Sequence, residues 1–509
     1  MTLLRYAGGD GVASTPLLSF SFSLSTVLLL IFVLISIYLI ANTIYNCFFH
    51  PLASFPGPKL AAATRLWYVS RLINGTLSRE VRDLHHQYGH VVRVAPNELS
   101  YSSSKAWDDI YGFRHGKPEM AKDTPFYTNE SQPPGILSAK REKHSLFRRL
   151  MSRGFSEAAL REQEPLIQGY VDLLMRRLHE NAGQGTNTIE IVSWFNYFTF
   201  DLIGDLAFGE PFGCLQTSSY HPWVKMIFDA IHLVAFKQAL GYYPQLDRLV
   251  PYLVPKFLAD RYKAHDDMTR EKALRRKESK VDRADFVSNL IKPESNISDP
   301  ELFGNSSTLI IAGSETTATV LSSVSWFLLQ NPRVYAALVA EVRASFSCPA
   351  DINLVNINQL KYMLACLNES LRLFPPVPSG LSRMVPEGGD WIDGQWVAGG
   401  THVSVLQLAA NTSAANFSHP LEFIPERWMD DPRFVGDDRA AMQPFSTGPR
   451  NCIGKNLAFL EMRLVLARLL WEFNLELVPG PKKKWDDARV FLIWEKNPLY
   501  VRLKPVVRT

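Results

Sequence analysis

The sequence predicts a mainly α-helical protein, one large globule carried behind a single N-terminal transmembrane helix. Three observations predict it. Residues 17–41 hold no charge and read LLSFSFSLSTVLLLIFVLISIYLIA. A second, mostly apolar stretch opens on Ser298-Asp299-Pro300-Glu301 and runs to Asn331-Pro332, and a third of helical periodicity, KNLAFLEMRLVLARLLWEF, begins at Lys455. Over 509 residues there is no internal repeat and no low-complexity linker, so one globule is expected rather than a string of modules. With 46% hydrophobic and 20% charged residues the chain can bury a sizeable core, and a disordered or collagen-like chain is excluded. A net charge of +4 over this length is too weak a field for nucleic acid. The five cysteines are scattered and include no Cys-x-x-Cys pair, so neither a disulfide framework nor a zinc site is expected.

The first run is long enough to cross the hydrocarbon layer as a helix and too long for the apolar region of a cleaved signal peptide. Lys59, Arg65 and Arg71 follow it, whereas Arg5 precedes it beside Asp10. The positive-inside rule then leaves residues 1–16 in the lumen and the bulk of the chain in the cytosol. Residues 42–58 form the linker, ending in Phe55-Pro56-Gly57-Pro58, where two prolines and a glycine forbid a continuing helix and set a stiff hinge. Residues 59–509 are the globule.

The second run starts with a capping box and a proline at an early helical position. Its middle, Ala312-Gly313-Ser314-Glu315-Thr316-Thr317, places a carboxylate among apolar turns. A buried carboxylate costs several kcal/mol unless it is paired or protonated, so Glu315 is either solvated or salt-bridged, or there to move a proton. The segment Asn358 to Phe374 has apolar residues 360, 363, 364, 367 and 371 on one face, and Glu369 and Arg372 one turn apart. Pro375 ends that helix.

Before the third run, Phe445-Ser446-Thr447-Gly448-Pro449-Arg450-Asn451-Cys452-Ile453-Gly454 packs glycines, a proline and a cysteine together. Alone, a cysteine is a buried small hydrophobe. Here it sits just ahead of a helix, where the macrodipole and free N–H groups favour thiolate over thiol. Gly448 and Gly454 let the backbone approach a flat ligand, Arg450 can reach a carboxylate, and Phe445 can shield the sulfur from water.

The pattern Phe-x-x-Gly-x-Arg-x-Cys-x-Gly resembles the haem-binding signature of the cytochrome P450 family, and residues 312–317 resemble its Ala/Gly-Gly-x-Asp/Glu-Thr-Thr motif on a helix crossing the distal face of the haem. Glu369, Arg372 and Arg427 of Phe423-Ile424-Pro425-Glu426-Arg427-Trp428 look like its structural triad. Residues 208–213 and those after Arg383 look most like fungal microsomal members, similar to the isotrichodermin C-15 hydroxylase group. The resemblance implies a P450 fold with small peripheral β-sheets and haem b whose iron is held by Cys452. By the same resemblance, His144, Arg148 and Arg383 contact the propionates, Phe445 and Arg450 belong to the haem site, Ala312 and Gly313 leave room for oxygen, and Glu315 and Thr316 form the proton relay. The implied reaction is RH + O₂ + NADPH + H⁺ → ROH + NADP⁺ + H₂O on a lipophilic secondary-metabolite precursor.

No nucleotide loop is present, so electrons are expected from NADPH–cytochrome P450 reductase at the endoplasmic reticulum membrane, docking near Lys455, with cytochrome b5 as an optional second donor. An isomerase or dehydratase on the same scaffold, or a non-catalytic haem sensor, are the alternatives. Segments 95–135 and 220–250, with Phe228 and Phe236, are expected to line the substrate pocket.

Overall fold

The computed structural model describes residues 23–508, apart from 115, 128–134, 250–255, 280, 282, 284 and 480–484. Helix α1 spans Leu24–Ile44 and runs on through a π-helical turn at Tyr45–Phe49. An 18-residue stretch within the two has a mean hydropathy of 2.8 and none of it is buried against the rest of the chain, which gives one apolar helix long enough to be a membrane anchor. It starts at Leu24, where Ser23 caps its first turn, and runs past the expected end at Ala41, where no proline or glycine stops it. Residues 17–22 lie outside the described residues.

The expected hinge is docked on the globule instead. The Pro56 carbonyl accepts from Arg93 N–H at 2.7 Å, Leu52 and Phe55 join a buried cluster, and a side chain at Gly57 would strike the Arg93 carbonyl. Arg65 and Arg71, two of the basic residues behind the orientation rule, are paired with Glu98 at 2.5 Å and Glu80 at 2.6 Å.

Helices dominate the globule. Those that position the site are α2 (Ser104–Tyr111), α3 (Arg141–Met151), α4 (Glu157–Ala182), α5 (Ile191–Phe208), α6 (Asp299–Gln330), α7 (Lys361–Leu373) and α8 (Lys455–Glu472). In α6 the capping box closes as the sequence required: Ser298 Oγ accepts from Glu301 N–H at 3.4 Å, and Glu301 Oε2 accepts from Ser298 N–H at 3.0 Å. At 32 residues it is about 48 Å long. Ser314, Thr316, Thr319 and Ser322 bond carbonyls four residues back, and the helix runs unbroken through the stretch where helix-weakening residues gather.

Helix α7 starts at Lys361 rather than Asn358, because a 3₁₀ turn at Asn356–Gln359 precedes it and Leu360 leaves helical geometry. Of its expected apolar face, Leu360, Met363, Leu367 and Leu371 are buried and Leu364 is half-buried.

Sheets are small and peripheral. The largest has five strands, β1 (Val91–Ala95), β2 (Glu98–Tyr101), β3 (Ala121–Lys122), β4 (Arg383–Met384) and β5 (His402–Val405), in the order β1-β2-β5-β4-β3. Residues 98–101 run parallel to 402–405, and Lys122 stands directly opposite Arg383.

The triad is buried and balanced. Glu369, Arg372 and Arg427 have 0% side-chain exposure. Glu369 accepts from Arg372 at 2.7 and 2.9 Å, from Arg427 and Trp428 at 2.9 Å each, and from Ile424 N–H at 3.0 Å. Asp437 holds the other side of Arg427. This agrees with the fold-maintaining role expected for the three.

Candidate active site

Cys452 lies at the mouth of α8, with Gly454 as the N-cap. Its N–H donates to the Phe445 carbonyl at 2.8 Å, which closes the loop, and the Phe445 ring packs on Phe459 with centroids 5.2 Å apart. Cys452 has free surface and yet is surrounded by protein, the combination shown by a residue that lines an internal cleft. The expectation of a thiol already biased to thiolate needs correction. Burial raises the Cys452 thiol above its ordinary value, and the Gly454 N–H, Arg148 and Lys455 pull it down without outweighing burial. The helix dipole is too small an effect for a sulfur so deep.

Gly448 also has a different reason from the one expected. Its φ is +71°, and a side chain there would collide with the Tyr111 carbonyl at the end of α2, so the glycine serves the packing of the loop on its rear face. Gly454 has ordinary backbone geometry and open space apart from Phe155 at 3.7 Å.

Across the core, most of α6 is buried, but Ile311 and Ala312 are exposed and Thr316 is half-buried, as one strip facing a cleft requires. Gly313 is not on that strip. A Cβ there would meet Ile203 Cδ1 at 2.6 Å, so its smallness serves the close approach of α5, and of the expected oxygen-side pair only Ala312 faces open space. Thr316 Oγ1 donates to the Ala312 carbonyl at 2.6 Å. Glu315 points the other way, into an ion pair with Lys496 whose side chains are 2% and 4% exposed. Lys496 also donates to Thr319 Oγ1 at 3.3 Å, and Glu315 Oε1 has no partner among the described residues. The salt-bridged explanation for this carboxylate is therefore realised.

A cationic corner lies between the sheet and the cysteine loop. Arg383 is 5% exposed and donates to Tyr127 Oη at 2.7 Å. Arg450 is paired with Glu119 at 2.7 Å and donates to the Ala139 carbonyl at 3.0 Å. Lys122 donates to the Leu137 carbonyl, and burial together with Arg383 and Arg450 pushes its ammonium down to about 6. His144 is pushed down to about 4 by burial and then by Arg450, Lys122 and Arg148. Burial alone would raise Glu119, but Arg450, Arg141 and His144 more than offset that and hold it below the usual carboxylate range. Arg148, expected on a cofactor carboxylate, instead holds Asn451 next to the cysteine, donating to its carbonyl at 2.6 Å.

These cations are poorly balanced by the protein itself, and two ligand carboxylates would balance them. An open cysteine, an uncovered strip of α6 kept shallow at Ala312 and a cationic corner fit haem, with its iron, flat ring and two propionates. Lys122, Glu119 and Tyr127 escaped the sequence reading because their segment is broken into a two-residue strand and a four-residue helix, too short for periodicity; only the pairing of Lys122 with Arg383 reveals the cluster. Of the expected pocket residues, Phe236 is half-buried, and the side chain of Phe228 lies outside those described.

The cytochrome P450 family profile matches residues 56–502. The chain belongs to the cytochrome P450 family. It is 50% identical over 92% of its length to cytochrome P450 monooxygenase cpaH of Aspergillus oryzae, also covering 92% of that protein. It is 44% identical to averantin hydroxylase of Dothistroma septosporum (92% of this chain, 89% of that one) and 41% identical to trichothecene C-15 hydroxylase of Fusarium sporotrichioides (92% and 96%). This P450 is accordingly a haem-dependent monooxygenase supplied with electrons by a reductase. The monooxygenase reading is supported over the isomerase, dehydratase and sensor alternatives.

Proposed function

We propose that Cys452 binds the haem iron as a thiolate, that Arg383, Arg450 and His144 receive the propionates, and that Thr316 on the opposite wall takes part in proton delivery. Haem ligated by thiolate supplies the electron density that favours O–O scission when bound. The chain's own part is to hold the sulfur in a water-poor loop, with Arg148 fixing Asn451 and the Cys452 N–H tied to Phe445. Ala312 keeps the facing wall shallow. The Thr316 hydroxyl, bonded to the Ala312 carbonyl, needs only a rotation about χ1 to offer its proton to the cleft. Glu315, locked to Lys496, acts behind Thr316 as a fixed charge, and a relay through it requires that pair to open.

The substrate is a lipophilic small molecule of a secondary-metabolite route, a reading supported by relatives named for hydroxylating averantin and a trichothecene. The anchor holds the enzyme on the endoplasmic reticulum membrane with the globule in the cytosol. Exposed Lys455 beside the cysteine loop meets the reductase, with cytochrome b5 as a second donor.

The observation that carries the reading is that Cys452, at the head of α8, keeps free surface while protein surrounds it. The test is the absorption difference spectrum of the reduced, carbon-monoxide-bound protein. A red-shifted Soret band is expected in the wild type and is expected to vanish in Cys452→Ala. A histidine-type spectrum in the wild type would end the proposal.

A further inference from the structure

Helix α8 carries a buried carboxyl group that the proposed mechanism does not use. Glu461 lies on the stretch of α8 that packs against α6, is 3% exposed, and its Oε2 has no hydrogen-bond partner among the described residues. The Thr317 hydroxyl of α6 hydrogen-bonds this carboxyl group, one residue from Thr316. Charged side chains on and around α8 are committed elsewhere. Arg468 is held by Asp172 and Glu472, and Arg463 reaches Asn358. Arg343 is spent on the carbonyls of Leu470 and Phe473, Arg372 on Glu369, and Lys496 on Glu315. Two glutamates, one on each of these helices, thus stand in opposite circumstances. Glu315 has a lysine, and Glu461 has a hydroxyl.

An ionised carboxylate left in the interior without a cation costs several kcal/mol, whereas a neutral acid beside a hydroxyl avoids most of that. Consistent with this, burial pushes Glu461 up to about 8, opposed only by the Thr317 hydrogen bond. We propose that Glu461 is kept as an uncharged carboxylic acid at the α6–α8 contact and is a positioning residue, fixing the helix that follows the cysteine loop against the turn that carries Thr316. It thereby sets the separation of the two walls of the cleft. The inference rests on the reading of Cys452 and Thr316 as those two walls. When the pH rises through the titration of Glu461, an unpaired charge appears at the contact and the walls lose their register.

The test uses the full-length haem-loaded protein and needs no substrate. Infrared spectra of wild type and Glu461→Gln are compared in H₂O and D₂O across the titration range, and the red-shifted carbon-monoxide band is followed in the same samples. The wild type should show a protonated-carboxyl stretch at neutral pH that moves in D₂O, is missing from Glu461→Gln, and disappears as the pH passes about 8. The red-shifted fraction should fall along the same curve in the wild type and stay level in Glu461→Gln, whose amide preserves shape and hydrogen bonding without a titration. Thr317→Val removes the group that favours the ionised form, so it should move the infrared midpoint to higher pH, and this variant serves if the glutamine protein does not fold. No difference band, or identical alkaline profiles in wild type and Glu461→Gln, overturns the proposal. A wild type with no red-shifted band at any pH sinks the thiolate reading instead, and leaves the infrared result standing.

Discussion

Arg372 and Arg427 are fully buried with Glu369 and Asp437 beside them, whereas Arg383, Arg450 and Lys122 crowd one corner of the five-stranded sheet with Glu119 as the carboxylate between them. In the first cluster the two charges of each sign cancel, and carbonyls from residues 411, 418, 419, 420 and 422 take up the remaining N–H groups. In the second, two like charges stand directly across a strand pair, an arrangement that destabilises a sheet. Burial first, and then Arg383 and Arg450, push Lys122 down to about 6, which relieves the repulsion. A closed cluster belongs to the fold, and an open one is shaped for a ligand that brings the missing charge. Haem brings two carboxylates.

The most damaging way to break this comparison is at Glu369. Glu369→Ala leaves two guanidinium groups buried against Asp437, at a cost of about 3–5 kcal/mol. We expect little or no folded protein, read by soluble yield and melting temperature; a variant that melts like the wild type would mean that the closed cluster is dispensable. Arg383→Met should instead fold and lose its grip on haem. Removing one charged hydrogen-bonding partner is worth about 1.5–3 kcal/mol, or roughly 10- to 100-fold in the rate of haem transfer to an acceptor protein. Unchanged transfer would remove Arg383 from the cofactor site.

Lys122 sharpens the contrast through pH. Its pKa in the folded, haem-free protein is depressed from 10.5 to about 6, so the unfolded chain binds more protons in between. The associated stability is present above 10.5 and is lost as the pH falls toward 6. Denaturation of haem-free protein should show this slope in the wild type and lack it in Lys122→Met. A shared slope would place the titration elsewhere. The smallest effect belongs to Trp428→Phe, which deletes one of the bonds to Glu369 and should cost about 1 kcal/mol in urea titrations. Loss of haem without loss of stability in that variant would contradict the division of labour.

What the sequence made legible was whatever is local. The capping box of α6, the cysteine loop ahead of α8 and the apolar anchor each declare themselves within a few consecutive residues. The triad is accessible through motif resemblance, since a glutamate and an arginine one turn apart, as Glu369 and Arg372 are, occur on any helix surface. Partners distant along the chain stayed hidden. Lys496 lies 181 residues from Glu315, and nothing near either announces the other. The roles given to Gly313 and Gly448 were misplaced for the same reason, since each glycine is explained by a neighbour, Ile203 or Tyr111, that only the fold brings close. The thiol's upward shift is likewise a property of depth, which a helix-terminus argument does not contain.

The contact between Gly448 and the end of α2 also bears on how this enzyme can diversify. With a backbone carbonyl pressed against its rear, the cysteine loop admits no added side chain at that position, and the neighbouring Gly112 is equally hemmed in by the Asp108 carbonyl. Variation that retunes the reaction therefore has one open direction. It must come from the wall of Ile311, Ala312 and Thr316 and from the segments around it, so a library built on the loop should return mostly dead clones and one built on the facing wall should return altered products.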